Sequence, residues 1–348
     1  MKSRLLKSLI IFFSTILLIT ASAFFIFTSL LSPVVSDKSS EDFSQFTVKI
    51  PRGVGLRVVG ENLYQNKMIK SSLVFYVYSR FTKPLVKAGV YQIDNSLSVK
   101  EILAVLESGK QSQIVVSIPE GLTMRRIGEL LESKDVVLKD DFLQACKNPE
   151  LLKKYNLENI KNFEGFLFPD TYYFTPSMNA EEVVCFMVDN FFRRISKMEG
   201  FEGLSTERMY HLLRLASIVE REYRVKEEAP LIASVFANRL RRTIGLYSCA
   251  TVEYIITEIQ GKPHPDVITY KDLKIDSPYN TYLYAGLPPT PISNPGEVAL
   301  SAASTHPRTS YYFFRLVDHV KGTHYFSTYF DEHTEVGRNL STKKAAGY

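Results

Sequence analysis

An uncharged and mostly apolar segment near the N-terminus constrains this chain more than any other sequence feature. It covers residues 9–31, and these 23 residues suffice to cross a hydrocarbon core of about 30 Å as a helix. The sequence therefore predicts one transmembrane helix over residues 9–31, followed by an extracytoplasmic chain. The residues before it, 1–8, are predicted to form a cytoplasmic tail because they carry three basic side chains, Lys2, Arg4 and Lys7.

A cleaved signal peptide is the alternative interpretation of this segment. Ala21-Ser22-Ala23 has the small-x-small form of a cleavage site, and residues 9–20 would serve as the apolar region before it. The apolar run continues past that site from Phe24 to Phe27, which favours a retained anchor. Both interpretations export the bulk of the protein.

The composition excludes several functional classes. The 348 residues are 45% hydrophobic and 23% charged, which is ordinary for a globular protein with a sizeable core. The net charge is only +5, and no basic stripe is visible, so we expect no nucleic-acid partner. The six histidines show no metal-binding spacing, and no cofactor is indicated. The cysteines are too few for a disulfide framework and are best interpreted as small buried hydrophobic residues, although one pair among them stays open: Cys146, Cys185 and Cys249.

Beyond the apolar segment the sequence predicts an α+β fold in two parts. Residues 32–45 are polar and rich in serine, as in a linker. IPRGVGLRVVGENL at 50–63 then recurs as IPEGLTMRRIGELL at 118–131, and each copy predicts a strand, a Pro-x-Gly turn and a helix. The first copy belongs to a small α+β module over 46–113, which is interpreted as a spacer or as a glycan-binding unit. The second copy lies near the start of a larger domain over 114–345.

The other elements are predicted from periodicity and capping residues. Ser98, with Glu101 three residues later, forms a capping box for a helix over 98–108. Further helices are predicted over 71–81, 123–133, 139–147, 180–198, 206–223, 229–242 and around 296–304. Predicted strands lie at 46–50, 89–93, 114–118, 311–317 and 323–327.

One glutamate falls inside an apolar helical stripe. At about 100° per residue, Glu220 projects onto the same face of the helix predicted over 206–223 as four apolar residues. Burial on that face disfavours the charged form and raises the pKa, so the carboxyl would be protonated near neutral pH and could act as a general acid. The four apolar residues are Met209, Leu212, Leu213 and Ala216.

An ordinary surface carboxylate is the alternative for this position. Glu220 would then turn out to solvent at the helix end, or pair with Arg221 or Arg239. Glu222 and the pair Glu227–Glu228 are interpreted as such solvated charges. The position of Glu220 in the stripe is what separates it from them.

Two later segments are unusual for loops. FEGFLFPDTY at 163–172 is strongly aromatic, and it is interpreted either as a loop folded onto the core or as the wall of a cleft. Residues 277–289 combine Tyr and Asn with rigid Pro and Gly turns. Sugars are bound by such combinations of ring faces and amides, but the same stretch also fits a well-fixed structural loop.

The chain resembles the YceG-like, MltG-type endolytic murein transglycosylases. The resemblance covers about residues 46–340. Two positions depart from the family pattern and leave the subsite preference open: Tyr247, where Gln is common, and Thr290, where Gly is common; both are expected to line the glycan cleft. The segments that carry the resemblance are FEGFLFPDTY (163–172), ASIVERE (216–222), SVFANRL (234–240), YSCATVEY (247–254), SPYNTY (277–282), GLPPTPISNPG (286–296) and GTHYFS with EH (322–333).

The resemblance implies a LysM-like module followed by an α+β catalytic domain, held by one helix in the cytoplasmic (inner) membrane with the catalytic domain on the periplasmic side. It implies a lyase that acts on nascent peptidoglycan glycan strands and ends their elongation, with peptidoglycan synthases as further partners. The catalytic Glu of the family falls on Glu220. Candidate residues for orienting the glycan are Asn238, Ser248, Thr251, Tyr279, Asn280 and Tyr282.

The expected mechanism needs only one carboxylate. Glu220 would protonate the oxygen between N-acetylmuramic acid (MurNAc) and N-acetylglucosamine (GlcNAc), then take the proton of the muramic C6 hydroxyl as it attacks C1, leaving a 1,6-anhydro-MurNAc end without consuming water. A hydrolytic muramidase is the enzymatic alternative and needs a second carboxylate, which Asp170 could supply. A non-catalytic wall-binding scaffold for peptidoglycan synthases is the third possibility, and it would tolerate the loss of Glu220.

Overall fold

The computed structural model describes residues 2–51, 53–109, 113–176 and 178–345. These residues contain both helices and strands, so the predicted α+β class is confirmed. They divide into two compact units. The first extends to Ile114 and the second from Val115, with a short segment after Phe174 assigned to the first.

The apolar N-terminal segment forms a single long helix, α1 (Lys2–Leu31). Its Ile10–Leu31 portion has a mean hydropathy of 2.5 and is not buried by the rest of the protein. Within the described residues it is the one helix whose length and composition suffice to cross a membrane, and a signal sequence meets the same criteria.

The first unit contains a two-stranded antiparallel sheet and three short helices. Val48 lies opposite Tyr91 in that sheet, and both side chains are buried. The predicted capping box is confirmed, because the Ser98 side chain accepts from the Glu101 backbone while the Glu101 carboxylate accepts from the Ser98 backbone. The elements are β1 (Gln45–Ile50), α2 (Leu56–Gln65), α3 (Ser72–Thr82), β2 (Gly89–Asp94) and α4 (Val99–Ser108).

The second unit is mainly helical. The predicted helices and the terminal hairpin agree with the structure to within three residues, whereas α7, α11, α13 and β4 were not predicted. Strand β3 (Ile114–Ser117) pairs with β4 (Thr171–Phe174), and β5 (Phe313–Asp318) pairs antiparallel with β6 (Thr323–Ser327). The helices are α5 (Met124–Ser133), α6 (Lys139–Ala145), α7 (Pro149–Lys154), α8 (Ala180–Ile195), α9 (Thr206–Glu222), α10 (Ala229–Arg241), α11 (Cys249–Tyr254), α12 (Glu297–Thr305) and α13 (Phe330–Ala345).

The internal repeat is a real structural repeat. Each copy is a strand and a helix, β1 with α2 and β3 with α5, and a second helix follows each of them. A Cβ on Gly60 would lie 2.7 Å from Phe75, and one on Gly128 would lie 3.3 Å from Phe142. The two glycines therefore perform the same task, since each lets the following helix pack closely. Equivalent core positions are also buried in both copies: Val59 and Ile127, Leu63 and Leu131.

Helix α9 is the central helix of the second unit. It packs against α10 and α12, and most of its C-terminal half is buried. An aromatic cluster fixes the neighbouring chain. The Phe166 ring lies 5.2 Å from that of Phe191 in α8 and stacks at 6.0 Å on Tyr210 in α9. These contacts hold residues 163–168 against the core, beside the first half of α9.

The three cysteines, all within the described residues, are free thiols. Cys146 is buried, as predicted for a small hydrophobic residue. Cys185 is half-buried and Cys249 is exposed, so that interpretation was wrong for Cys249.

Candidate active site

Glu220 occupies the last turn of α9, at the end of the buried stripe. The four apolar residues of the stripe are buried, and the Glu220 side chain is half-buried. Its Oε2 accepts a hydrogen bond of 2.9 Å from the Gly296 backbone N–H, and its Oε1 accepts one of 3.4 Å from the Tyr223 hydroxyl. The predicted partial burial of this carboxyl is therefore confirmed.

The environment raises the pKa of Glu220 to about 7. Burial is the main cause, because it disfavours the charged form, and the negative charge of Glu120 acts in the same direction. The Gly296 N–H, the Tyr223 hydroxyl and the positive charge of Arg221 oppose this rise. Near neutral pH the carboxyl is thus present in both protonation states, which suits a group that must donate a proton and then accept one.

Ser217 explains why Gly296 lies beside Glu220. The Ser217 hydroxyl accepts from the Ile292 N–H at 3.0 Å, and the Ser293 hydroxyl donates to the Ser217 carbonyl at 3.0 Å. Ser217 is fully buried. Ser217 therefore holds the segment that leads to Gly296 against α9, one turn before Glu220. Its position is that of a structural residue and not that of a nucleophile.

Asn294 connects three chain segments around this point. Its side-chain amide donates to the Leu122 carbonyl and to Glu164 Oε1, both at 2.9 Å, while its side-chain oxygen accepts from the Leu167 N–H at 2.9 Å. Its backbone N–H donates to Leu122, and its backbone carbonyl accepts from Gly121 at 2.9 Å. One buried side chain thus holds the turn before α5, the aromatic segment and the chain before α12 in register.

Glu164 is the buried carboxyl behind this network. It is 2% exposed, and burial together with the nearby Glu258 charge raises its pKa to about 8. Its Oε1 accepts from the Met124 N–H at the start of α5, and that hydrogen bond and the one from Asn294 partly oppose the rise. Glu164 is therefore largely neutral at pH 7 and has a structural position. Since Phe163, Phe166 and Leu167 are fully buried, the structure favours the interpretation of this segment as folded onto the core.

Four of the six predicted glycan-orienting residues are buried and already hydrogen-bonded within the protein. Asn280 is fully buried and donates to the carbonyls of Leu273 and Ile275. The Asn238 side-chain amide donates to the carbonyls of Thr309 and Tyr311. The four residues are Asn238, Ser248, Thr251 and Asn280.

Tyr282 and Ser248 line a cavity of about 410 Å³, together with Tyr247, Glu222 and Arg239. The rings of Tyr247 and Tyr282 lie 5.6 Å apart, and the Arg239 guanidinium lies 5.6 Å from the Tyr247 ring centre. The interpretation of Glu222 as a solvated charge was wrong, because Glu222 accepts from the Ser248 hydroxyl and burial raises its pKa.

Tyr279 and Thr290 contact each other and are not among the residues that line this cavity. Tyr279 is half-buried, and its hydroxyl is 2.9 Å from that of Thr290. Thr290 is 2% exposed, so the expectation that it lines a cleft was wrong. Tyr247, the other departure from the family pattern, is 48% exposed.

Asp170 forms an ion pair with Arg194, which does not suit a role in proton transfer. Its Oδ2 lies 2.7 Å from Arg194 and 3.1 Å from the Asn190 amide. Burial acts to raise the pKa of Asp170, but these two partners and the Thr171 N–H together outweigh it and hold the pKa below its ordinary value. The structure thus gives no support to Asp170 as the second carboxylate of a muramidase.

Comparison with known sequences and structures identifies the family. The sequence profile of the YceG-like family matches residues 48–339. The chain belongs to the YceG-like family. An endolytic murein transglycosylase of Bacillus subtilis is 32% identical in an alignment of 314 positions, and this alignment covers 85% of this chain and 84% of the relative. One from Streptococcus pneumoniae is 26% identical over 97% of this chain and 66% of the relative.

A solved structure agrees with this assignment. The crystal structure of a yceG-like protein from Listeria monocytogenes superimposes with a TM-score of 0.56 and is 31% identical. The match covers 84% of this YceG-like chain and 99% of the Listeria chain. The resemblance drawn from the sequence motifs is therefore confirmed at the level of the family.

Several residues of the YceG-like site were not singled out from the sequence. Tyr223 and Gly296 donate hydrogen bonds to Glu220, Gly121 lies so close that a Cβ built on it would be 3.5 Å from the Glu220 side chain, and Asn294 and Glu164 support this arrangement. All except Gly121 and Tyr223 lie in motifs that carried the family resemblance. The internal repeat could have identified Gly121, because Gly121 is the glycine of the Pro-x-Gly turn in the second copy.

Proposed function

We propose that this YceG-like protein is a peptidoglycan lytic transglycosylase, a lyase that cleaves within murein glycan strands. Its family, and relatives named endolytic murein transglycosylases, support this function. The observation that carries the chemical part of the proposal is the half-buried Glu220 carboxyl, which titrates near neutral pH at the end of α9.

In the proposed reaction Glu220 is the general acid and then the general base. It donates its proton to the glycosidic oxygen between MurNAc and GlcNAc, and the bond from that oxygen to muramic C1 breaks. Positive charge develops at C1, where the N-acetyl group of the substrate stabilises it. The muramic C6 hydroxyl then attacks C1 and returns its proton to Glu220, so a 1,6-anhydro-MurNAc end forms and no water is consumed.

The hydrogen bonds of Glu220 fit this sequence of steps. Gly296 N–H holds Oε2 at 2.9 Å, whereas Oε1 has only the longer 3.4 Å contact from Tyr223. Oε1 is thus the atom that can exchange a proton with the sugar, while Oε2 stays fixed to the backbone. A backbone N–H also stabilises the carboxylate after it has given up its proton.

Mass analysis of the ends released from peptidoglycan tests the reaction. The full-length protein in detergent should release fragments with anhydro ends, one water lighter than hydrolysis products. Fragments with reducing ends would identify a muramidase instead. Binding to the sediment without cleavage would identify a scaffold.

We expect the cleavage rate to fall on the alkaline side of neutrality. Because the pKa of Glu220 is about 7 and the acid must begin protonated, kcat/KM should be half of its maximum near pH 7. It should then decrease about tenfold per pH unit above pH 8. A rate profile measured between pH 5 and 9 checks this, and a rate that stays constant up to pH 9 would exclude Glu220 as the acid.

The six glycan-orienting residues stay predictions. Two substitutions distinguish a residue that contacts the substrate from one that supports the fold. We expect Tyr282→Ala to raise KM about tenfold with little change in thermal stability, since Tyr282 lines the cavity. Asn280→Ala should instead destabilise the fold by about 2–3 kcal/mol, because two buried carbonyls lose their donor. Steady-state kinetics and thermal unfolding of both variants provide the comparison. A normal KM in the Tyr282 variant would remove that residue from the binding site.

We also propose that α1 anchors the protein in the cytoplasmic membrane and places the chain after it, with the module over 46–113 and the second unit, on the periplasmic side. Its length, its hydropathy and the basic residues before the apolar run support this topology. The module over 46–113 is proposed to be LysM-like and to bind glycan, and peptidoglycan synthases remain the proposed partners at the membrane. Labelling of Cys249, which is exposed, with a membrane-impermeant thiol reagent on intact spheroplasts tests the topology. Labelling only after lysis would contradict it.

A further inference from the structure

The second copy of the internal repeat contributes a turn to the surroundings of Glu220. Pro119, Glu120 and Gly121 form this turn between β3 and α5. The Gly121 N–H donates to the Asn294 carbonyl at 2.9 Å, and its own carbonyl accepts from Arg221 at 3.2 Å. Gly121 has a φ of +78°, which a residue with a side chain rarely adopts. The turn is thus fixed on both sides of the Glu220 position.

This turn brings a second carboxyl against the same backbone atoms that hold Glu220. A Cβ built on Gly296 would lie 1.9 Å from Glu120 Oε1, so the Glu120 carboxyl occupies the space that any side chain at 296 would need. The Gly296 N–H meanwhile donates to Glu220 Oε2. The two carboxyl groups therefore lie within about 7 Å of each other, given the short bonds that join the Gly296 atoms.

The first copy of the repeat carries Arg52 where the second carries Glu120. The two copies share the residues that build the strand, the turn and the helix, as the equivalent buried positions show. Position 120 is exposed and is not needed for that packing. A charge of opposite sign at an exposed turn position is consistent with a task that only the second copy performs.

We propose that the Glu120 carboxylate is a positioning residue of the active site, which acts through its negative charge to keep the Glu220 carboxyl in the protonated form needed to begin the reaction. This inference rests on the proposed transglycosylase function. Glu120 touches Gly296 rather than a reacting atom, so its effect reaches the chemistry only through Glu220.

The groups around Glu220 shift its pKa in opposite directions. Arg221 favours the ionised form of Glu220, but its guanidinium also forms an ion pair with Glu253, which in turn lies 3.0 Å from His264. The Tyr223 hydroxyl also favours the ionised form. Glu120 is thus the negative side chain that opposes Arg221 and Tyr223 at this carboxyl.

Two features limit how far Glu120 can shift the pKa of Glu220. Both carboxyls lie at Gly296, the N-cap of α12, and a helix N-terminus favours negative charge. Glu120 is also exposed, so solvent and salt weaken its field. We therefore expect Glu120 to account for about half a pH unit in the titration of Glu220, at low ionic strength.

Glu120→Gln tests the inference in the full-length protein in detergent, with anhydro-ended product as the readout. The variant should move the alkaline limb of the kcat/KM profile to lower pH by about half a unit, while its rate at pH 5.5 stays within twofold of the unsubstituted protein. The displacement should shrink in 0.5 M salt, because the field is screened. Glu120→Asp, which keeps the charge, should restore at least part of the original profile.

Glu297→Gln is the matched control. Glu297 lines the same surface depression of about 580 Å³ as Glu120, but Glu120 is among the main causes of the raised pKa of Glu220 and Glu297 is not. Its profile should coincide with that of the unsubstituted protein. An equal displacement in both variants would show a general effect of net charge and would overturn the assignment to Glu120.

The outcomes separate this inference from the proposed function. If the unsubstituted protein releases anhydro ends and Glu120→Gln leaves the alkaline limb in place, the inference is wrong and the function stands. An equal loss of rate at every pH would also overturn it. Release of reducing ends that disappear in Glu120→Gln would overturn both, since Glu120 would then activate water as in a two-carboxylate hydrolase.

Discussion

Replacement of Glu220 by glutamine should reduce the rate of glycan cleavage by about a thousandfold or more. Glutamine has nearly the same shape and can still accept a hydrogen bond from the Gly296 N–H, so the geometry of the site should persist. It cannot donate a proton to the glycosidic oxygen at a useful rate, and it cannot take one from the C6 hydroxyl. Both halves of the proposed reaction are lost with one substitution. Release of anhydro ends by the purified variant provides the measurement.

Stability measurements can distinguish a chemical loss of activity from unfolding of the variant. The pKa of Glu220 is raised to about 7 in the folded protein from 4.5, so the stability contributed by its protonated form is fully present below pH 4.5 and is lost as pH rises through 7. Glutamine does not ionise and avoids this loss. We therefore expect Glu220→Gln to be as stable as the unsubstituted protein at pH 4 and more stable by about 1–3 kcal/mol at pH 8.

Glu227→Gln serves as the control for Glu220→Gln. Glu227 is an exposed carboxylate close in sequence, and its replacement should change neither cleavage nor stability by a measurable amount. If Glu220→Gln cleaves strands at the original rate, Glu220 is not the acid, and the reaction must be assigned to another group.

Replacement of Asn294 by alanine should lower the free energy of unfolding by about 3 kcal/mol. The change removes three hydrogen bonds and leaves the Leu167 N–H buried without its acceptor. Glu164 loses a donor as well, which favours its neutral form further. Chemical denaturation at pH 7 measures the effect.

The same substitution should also reduce cleavage, by about tenfold to a hundredfold. The side chain of Asn294 helps to set the positions of Gly121 and Gly296, which flank Glu220, and small displacements there alter the alignment of the acid. Asn179→Ala is the matched control, since Asn179 is an exposed cap of α8. It should cost about 1 kcal/mol and leave the cleavage rate unchanged. An Asn294 variant with original stability would show that the three bonds contribute nothing net.

Much of the fold could be predicted because its signals are local. Helix ends were indicated by capping residues such as Ser98, and helix faces by apolar periodicity, as in α9. The helices α7, α11 and α13 and the strand β4 were missed. The first two helices and the strand have four to six residues, too few for a periodic pattern to stand out from a loop, whereas α13 has 16.

The burial of the candidate acid was easier to predict than the burial of the candidate binding residues. Asn280 and Thr251 lie in distinctive motifs, yet their polar groups bond within the protein. A motif rich in Tyr and Asn is equally suited to fixing a loop and to holding a sugar, because the same hydrogen bonds serve both tasks. Burial decides between them, and burial depends on chain segments that are distant in sequence.

The position of Glu220 on the buried face of α9 follows from the amino-acid sequence, because the 100° advance of a helix places side chains without reference to other segments. The family also follows from the sequence, through motifs in a fixed order. The surroundings of Glu220, in contrast, depend on how distant segments pack. Gly121 and Gly296 come from distant parts of the chain, and only packing against α9 and the bonds of Asn294 bring them together. A carboxyl titrates according to its solvent and its neighbours, so its chemistry was settled by packing rather than by periodicity.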